Sequence, residues 1–233
     1  MIRVAVAGVN GRMGALAAHA LRGADDLEYV GGFARDGDEQ KKVTDHLPHL
    51  LEVHKPDVVV DFTTYPKTVE VATQSIVHGV SPVIGATGWT SDETETLRAL
   101  AEEHQIGAML VPNFALGAAL MLRLSEDAAR YFPSAEIIEL HHDQKKDKPS
   151  GTARLTAERL SAVMHKDVPV HSIRLRGLLA HQVVMFGNAG ETLTIRHDSL
   201  SRESYVAGIL FAVRAVRKLR SLQIGLDGLL ERP

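Results

Sequence analysis

Between Glu139 and Ala153 the chain reads Glu-Leu-His-His-Asp-Gln-Lys-Lys-Asp-Lys-Pro-Ser-Gly-Thr-Ala. Within eight residues it sets out His141, His142, Lys145, Lys146 and Lys148, a dense positive field in a protein of formal net charge −3. Imidazoles exchange protons near neutral pH. Pro149-Ser150-Gly151-Thr152-Ala153 is predicted to open a helix, with Ser or Thr as the cap. A helix start leaves backbone N–H groups unpaired, and the helix dipole makes that end attractive to anions. Proton carriers, ammonium groups and an anion cradle are what a site needs to bind a small polyanion, such as a dicarboxylate, and protonate it. A charge run alone is usually a solvated loop. Paired histidines at a strand end followed by Pro-Ser-Gly-Thr are a less common loop, which favours a site.

These groups must be held by elements that the hydrophobic pattern foretells. Ile2 to Ala7 is a β-rich run that ends in Gly8-Val9-Asn10-Gly11-Arg12-Met13-Gly14, and a helical stretch follows. Strand, spaced glycines, helix is the context in which such a turn lets the backbone approach a pyrophosphate. A second strand is predicted at Tyr29 to Ala34. In an NAD-binding unit an acidic residue stands about 20 positions after the glycines and holds the ribose 2′-hydroxyl. Counting from Gly14 reaches Ala34 and then Arg35, with no carboxylate at either position although Asp36 and Asp38 are close. An arginine without a preceding acid suits a 2′-phosphate, so NADPH is favoured over NADH.

Buried parallel strands are predicted at Pro56 to Phe62, Val80 to Ile84 and Ile106 to Val111, alternating with helices at Asp45 to Val53, Tyr65 to His78 and Ser91 to Glu103, the last capped by Ser91. That alternation predicts an α/β fold with a Rossmann-like, doubly wound parallel sheet. Ligands of such sheets lie beyond the carboxyl ends of the strands. The rule selects Gly8–Met13, Ala34-Arg35, Thr63-Thr64, Gly85–Thr87 and Val111–Phe114 as one rim.

After Phe114 the pattern changes. Helices at Gly117 to Phe132 and Thr152 to Met164 accompany strands at Glu136 to His141, Val170 to Arg176, His181 to Phe186 and Glu191 to His197. The last two are joined by a hairpin turn at Gly187-Asn188-Ala189-Gly190. Successive strands predict a second, α+β domain with a mixed or antiparallel sheet. The expected division is 1–114, completed by a C-terminal segment 201–233 with a helix at Arg202 to Leu219, against 115–200. An apolar face on the second sheet invites burial by further copies of the chain.

Composition narrows the classes. The 233 residues are 45% hydrophobic and 24% charged, ordinary for a soluble globular protein. No stretch approaches the roughly 20 apolar residues of a membrane span. The start at Met1 leads straight into a strand pattern without a signal peptide, and a cytoplasmic setting is expected. There are no cysteines, which excludes disulfides, thiolate metal sites and cysteine nucleophiles. The modest charge gives no reason to expect nucleic acid or membrane partners. Adjacent histidines on a strand point to opposite faces, with no third ligand at standard spacing, so no metal site is expected. His181 and His197 read as core-edge or surface residues. Arg202 reads equally as a surface arginine or as a contact to a substrate carboxylate.

With Gly8-Val9-Asn10-Gly11-Arg12-Met13-Gly14 at one end and Glu139-Leu140-His141-His142-x-x-Lys145-x-Asp147-x-Pro149-Ser150-Gly151-Thr152-Ala153 in the middle, the chain resembles the 4-hydroxy-tetrahydrodipicolinate reductase (dihydrodipicolinate reductase) family. Shorter matches are Asp61-Phe62-Thr63, Val83–Gly88, Pro112-Asn113-Phe114 and Gly190-Glu191. The resemblance implies an NAD(P)H-dependent oxidoreductase of the diaminopimelate route to lysine, cytoplasmic and tetrameric. It implies that His141 is the proton donor and acceptor and Lys145 a second donor. It makes His142, Ser150, Gly151 and Thr152 substrate contacts. Gly8, Val9, Asn10, Gly11, Arg12, Met13, Gly85, Ala86, Thr87, Val111, Pro112, Asn113 and Phe114 become cofactor contacts, with Arg35 reaching the 2′-phosphate. The family often has an acid where Ala34 stands, and the loop after the second strand is short for it. The implied chemistry is hydride addition at C4 of a cyclic imine dicarboxylate and protonation at C3, with the cationic cluster stabilising developing negative charge. Related reductases that use a thiol nucleophile are excluded by composition. A non-catalytic NADPH-binding redox sensor is the alternative, though it has no use for His141, Lys145 and Ser150–Thr152 held together.

Overall fold

A computed structural model describes residues 1–230, which form two compact units, Met1–Phe114 with Tyr205–Leu229 and Ala115–Ser204 with Leu230. The C-terminal return to the first unit thus begins at Tyr205, four residues later than the sequence suggests.

In the first unit β1 (Ile2–Ala7), α1 (Arg12–Arg22), β2 (Leu27–Phe33), β3 (Val43–Thr44), α2 (Leu47–His54), β4 (Val58–Asp61), α3 (Lys67–Val77), β5 (Ser81–Ile84), α4 (Ser91–Glu103) and β6 (Ala108–Leu110) follow in order. With β11 (Leu222–Ile224) they make a seven-stranded sheet ordered β11-β6-β5-β4-β1-β2-β3, parallel throughout. Strand alternation decides which side each residue serves. Ala5, Ala7 and Val59 enter a core with Leu47, Leu50, Leu51 and Val71 from α2 and α3. Val4, Val6, Val58 and Val60, fully buried, face the other way, and α1 packs there beside α7 (Val206–Val216). Strands buried on both faces need the unbroken apolar runs that Val58-Val59-Val60 supplies.

The edge strands β3 and β11 are two and three residues long, and periodicity gave no sign of them. The predicted helix Arg202 to Leu219 is a 3-10 turn, Arg202–Tyr205, followed by the shorter α7. The α4 cap is Thr90, not Ser91. Thr90 Oγ1 accepts from Glu93 N while the Glu93 carboxylate accepts from Thr90 N, a reciprocal capping box.

In the second unit α5 (Leu116–Ala129), β7 (Ser134–His141), α6 (Gly151–Met164), β8 (Val170–Arg174), β9 (Ala180–Asn188) and β10 (Glu191–Ser199) form a four-stranded sheet, β10-β9-β7-β8, under two helices. The β7–β8 pair is parallel and the other two pairs antiparallel, so the sheet is mixed. Ala135 and Ile137 of β7, with Val184 and Phe186 of β9, pack against Met121 of α5 and Ala153 and Leu160 of α6. The pleat then dictates what comes next: Glu139 and His141 lie on that same helix-covered face, at its polar end.

Candidate active site

In the first unit, the rim at the strands' carboxyl ends is built by backbone bonds between neighbouring strands. Gly8 N donates to Phe33 O at 2.8 Å, Phe62 N to Ala7 O at 2.9 Å, Gly85 N to Asp61 O at 2.8 Å and Val111 N to Ile84 O at 2.8 Å. The glycine turn has a steric reason. Gly8 takes φ +77, and a Cβ on Gly14 would stand 2.1 Å from Gly8 O, so only glycine lets helix α1 start this close to its strand. Gly11 caps that helix with no side-chain hydrogen bond, which leaves the first N–H groups to an external acceptor. Asn10 Nδ2 donates to Asp36 O at 3.3 Å and ties the turn to the loop after β2. Arg12 and Arg35 are exposed, and Ala34 is buried where a ribose-binding acid is otherwise expected.

A cavity of about 390 Å³ opens at this rim, lined by Met13, Phe62–Tyr65 and Gly85–Thr87. Asp61, fully buried, shapes its wall: the carboxylate accepts from Thr63 N at 2.8 Å, Thr63 Oγ1 at 2.7 Å and Thr68 Oγ1 at 2.6 Å. Burial raises its pKa against the pull of those three donors. The rings of Phe62 and Phe114 lie 5.4 Å apart, and a Cβ on Gly85 would stand 2.4 Å from the first and 2.8 Å from the second. Bare backbone, open helix N–H groups and a flat-walled cavity fit a dinucleotide: Gly8–Met13 would hold its phosphates and the cavity its nicotinamide end. Pro112 is exposed and Asn113 half-buried on the same rim.

In the second unit, the predicted proton carriers meet at the end of β7. His141 pairs with Arg174 across β8, and Glu139 with Ser172 on β8 and Gln182 on β9. Glu139, with no solvent exposure, bonds Nδ1 of His141 through Oε2 and receives both terminal nitrogens of Arg174, at 2.8 and 2.9 Å. Burial pushes the Glu139 pKa up, but bonds from Arg174, Ser172 and His141 outweigh it and hold the carboxylate below its ordinary value. For His141, burial dominates and lowers the pKa, with Lys145 and Arg174 adding to it, against the opposing bond to Glu139.

The chain turns after His141, with Lys145 N donating to His142 O at 3.2 Å, so His142 stands on the turn rather than on the strand. Lys145 Nζ is 2.9 Å from Asp147 Oδ1. Lys146 and Lys148 are exposed. Helix α6 starts at Gly151, one residue before the predicted Thr152, and Ser150 is its cap, Oγ accepting from Ala153 N at 3.2 Å. The N–H groups of Gly151 and Thr152 thereby stay open to an anion. One turn further on, Thr156 Oγ1 donates to Thr152 O at 2.9 Å and accepts from Gln182 Nε2 at 2.9 Å, which fastens the helix to β9.

Sequence reasoning passed over Glu139, Arg174, Gln182 and Thr156. The charged Glu139 inside an apolar β pattern was a signal; its partners lie too far along the chain to be paired without the register. His181 is buried, with Nδ1 2.7 Å from Asp198 Oδ1 and Nε2 accepting from Leu179 N, and His197 lies against Gly117. Both are structural here. Arg202 is exposed in the 3-10 turn.

Two family models match the chain, dihydrodipicolinate reductase N-terminus over residues 2–114 and dihydrodipicolinate reductase C-terminus over residues 117–230. A 4-hydroxy-tetrahydrodipicolinate reductase of Moorella thermoacetica is 41% identical over 262 aligned residues, 99% of this chain and 98% of the relative. That of Geobacillus thermodenitrificans is 42% identical over 264, 99% of each. Both alignments are longer than the 233 residues here, so the relatives carry segments this chain lacks. Among solved structures, a dipicolinate-bound dihydrodipicolinate reductase from Paenisporosarcina sp. TG-14 superposes with TM-score 0.88 at 36% identity, covering 99% of this chain and all of that one. GenD2 from gentamicin A biosynthesis, in complex with NAD, shares the fold at 15% identity, TM-score 0.70, covering 100% of this chain and 88% of that one.

Proposed function

The chain belongs to the dihydrodipicolinate reductase family, and from that premise we propose that it reduces 4-hydroxy-tetrahydrodipicolinate to tetrahydrodipicolinate, with NAD(P)H as reductant, in diaminopimelate and lysine synthesis. The observation that carries this reading is the cluster at the end of β7, where an imidazole, an ammonium group and an open helix start stand together.

The first unit binds the dinucleotide and the second, through β7 and α6, the dicarboxylate. One substrate carboxylate sits on the N–H groups of Gly151 and Thr152 with the Ser150 hydroxyl, and His142 adds a further contact. The 4-hydroxyl leaves as water together with a proton from the neighbouring carbon, which places a double bond in conjugation with the ring imine. The bound nicotinamide supplies hydride to C4. The electron pair displaced from the double bonds collects as an enamine, and the carbon next to C4 takes a proton from His141 or Lys145 to restore the imine. The cations around it stabilise the negative charge that builds on substrate. NADPH is the preferred reductant, because the exposed Arg35 follows Ala34, where no acid stands to bind a free 2′-hydroxyl.

A second copy of the chain covers the sheet face opposite α5 and α6, in a homo-tetramer. That face carries Ile138, Leu140, Ile173, Val183 and Met185, of which Ile173 and Met185 are exposed. Ile173→Asp should lower the mass found by light scattering; an unchanged mass removes the assembly from the proposal.

Turnover is tested with purified protein, NADPH and freshly generated 4-hydroxy-tetrahydrodipicolinate. Cofactor absorbance should fall, whereas a redox sensor would bind NADPH and consume none. His141→Gln should cut turnover by ~10²–10⁴, the range for a lost acid–base group, with NADPH affinity unchanged. If it and Lys145→Ala both keep the wild-type rate, the proton source lies elsewhere.

A further inference from the structure

The geometry points to Arg174 and Glu139 as the positioning residues of the proton-transfer step: we propose that Arg174 holds Glu139 and the Lys145 loop in one register, and that Glu139 fixes His141 as the Nδ1–H tautomer that works through Nε2. The proposal rests on the reductase reading above and deepens it.

Arg174 has five N–H groups, and each has an acceptor. Nε donates to Lys145 O at 3.2 Å, Nη1 to Glu139 Oε2 at 2.9 Å and Ile173 O at 2.8 Å, and Nη2 to Glu139 Oε1 at 2.8 Å and Asp147 O at 2.6 Å. One planar group therefore spans the strand that bears His141 and the loop that bears Lys145. The rigid fork of a guanidinium can do this, and an ammonium with three donors cannot. The arginine side chain is only 7% exposed and that of Glu139 is not exposed at all, so neither is a surface pair free to rearrange.

Glu139 has a second consequence. An ionised carboxylate accepts hydrogen bonds and donates none. Its bond with His141 therefore requires the hydrogen on Nδ1, which leaves the Nε2 lone pair as the site of proton exchange. The same logic orients imidazole in carboxylate–histidine pairs generally, where exchanging carboxylate for carboxamide costs about 10⁴ in kcat through the wrong tautomer. Neither residue touches substrate or cofactor in this scheme. They act through His141 and Lys145.

Arg174→Lys keeps the charge and removes the fork. It should lower kcat by about 10²-fold, in the range of second-sphere losses, while KM for NADPH is unchanged. Glu139→Gln must set an amide N–H against either His141 Nδ1 or an Arg174 donor, so it loses the ring's tautomer or its anchor; kcat should fall by ~10²–10⁴, and Glu139→Asp should restore part of it. The pH profile separates positioning from damage. Glu139 raises the His141 pKa while Lys145 and Arg174 lower it. Glu139→Gln should thus move the His141 limb of kcat/KM to lower pH, and Arg174→Lys should leave it in place. On the wild-type chain, 15N spectra of histidine-labelled protein should show the Nδ1–H form for His141, identified by its loss in His141→Gln. An Nε2–H form there overturns the proposal even if neither variant folds, as does wild-type kcat in both variants. If the wild-type chain itself turns over no dicarboxylate, it is the reductase reading that falls.

Discussion

The join between α6 and β9 offers a test in which stability and substrate binding must move together. Thr156, fully buried, accepts from Gln182 Nε2 at 2.9 Å, and Gln182 is itself 5% exposed. Thr156→Val keeps the shape and removes the acceptor, which strands a buried amide N–H. The cost of such an orphan is about 1–3 kcal/mol. At roughly 2–4 °C per kcal/mol for a chain of this length, the melting temperature should fall by roughly 2–12 °C. Gln182→Met removes the other partner with a flexible apolar side chain of similar reach. In the double variant nothing is left unpaired, so it should be more stable than the two single losses predict, by about 1–2 kcal/mol. Urea denaturation of the four proteins measures this coupling directly. Because Thr156 lies one turn below the open N–H groups of Gly151 and Thr152, Thr156→Val should also raise KM for the dicarboxylate more than it lowers kcat. Additive stability losses, with KM unchanged, would refute the claim that this bond seats the anion-binding end of α6.

Two further outcomes are expected. Arg35 is exposed, so Arg35→Ala should leave the melting temperature alone and raise KM for NADPH about tenfold, the lower end for a charge-assisted contact at an open site; an equal effect on NADH removes the 2′-phosphate contact. Acid should destabilise the fold in two stages. The folded His141 pKa lies below its ordinary 6.5, so the unfolded chain binds the extra proton first and stability is lost as pH falls from 6.5 toward the folded value. Glu139, lowered from 4.5, adds a loss as pH falls below 4.5 through its folded value. Urea midpoints against pH for wild type and His141→Gln check the sign, since the first stage should shrink in the variant.

The parts of this molecule that repeat were legible in the sequence. Val58-Val59-Val60 reads as a strand covered on both faces, and Pro149-Ser150-Gly151 as the opening of a helix. The glycine turn carried its own context. Short edge strands were not legible: Val43–Thr44 and Leu222–Ile224 are held by pairing with β2 and β6, and two or three residues have no period. The Thr90 cap was legible but misplaced, since Glu93 stands three residues after Thr90 and completes a box that Ser91 lacks. Arg174 was hidden for a different reason. Its meaning depends on the β7–β8 register, which sets it beside His141 across 33 residues of chain, and no local pattern encodes that pairing.

The placement of Glu139 explains why the site stands where it does. Along β7 one face carries Ala135, Ile137, Glu139 and His141, so the row passes from apolar core to imidazole without changing sides. A carboxylate at the third position loses its hydration, a loss that Coulomb attraction offsets only when geometry and hydrogen bonding are complete. Arg174 meets that condition with two bonds to Glu139, and three more to carbonyls keep the arginine from needing water. The pair is then charge-balanced by itself. Burial first, and then the positive charges of Lys145 and Arg174, disfavour a proton on His141, so the imidazole rests neutral more readily than it does in water. In the proposed reaction a dianionic substrate would reverse that balance. Its carboxylates would offset the surrounding cations and favour a proton on His141 when there is an enamine to receive it. The Glu139–Arg174 pair at the polar end of β7 thus aims the imidazole, and in the proposed reaction the cations around it would couple its proton to the arrival of substrate.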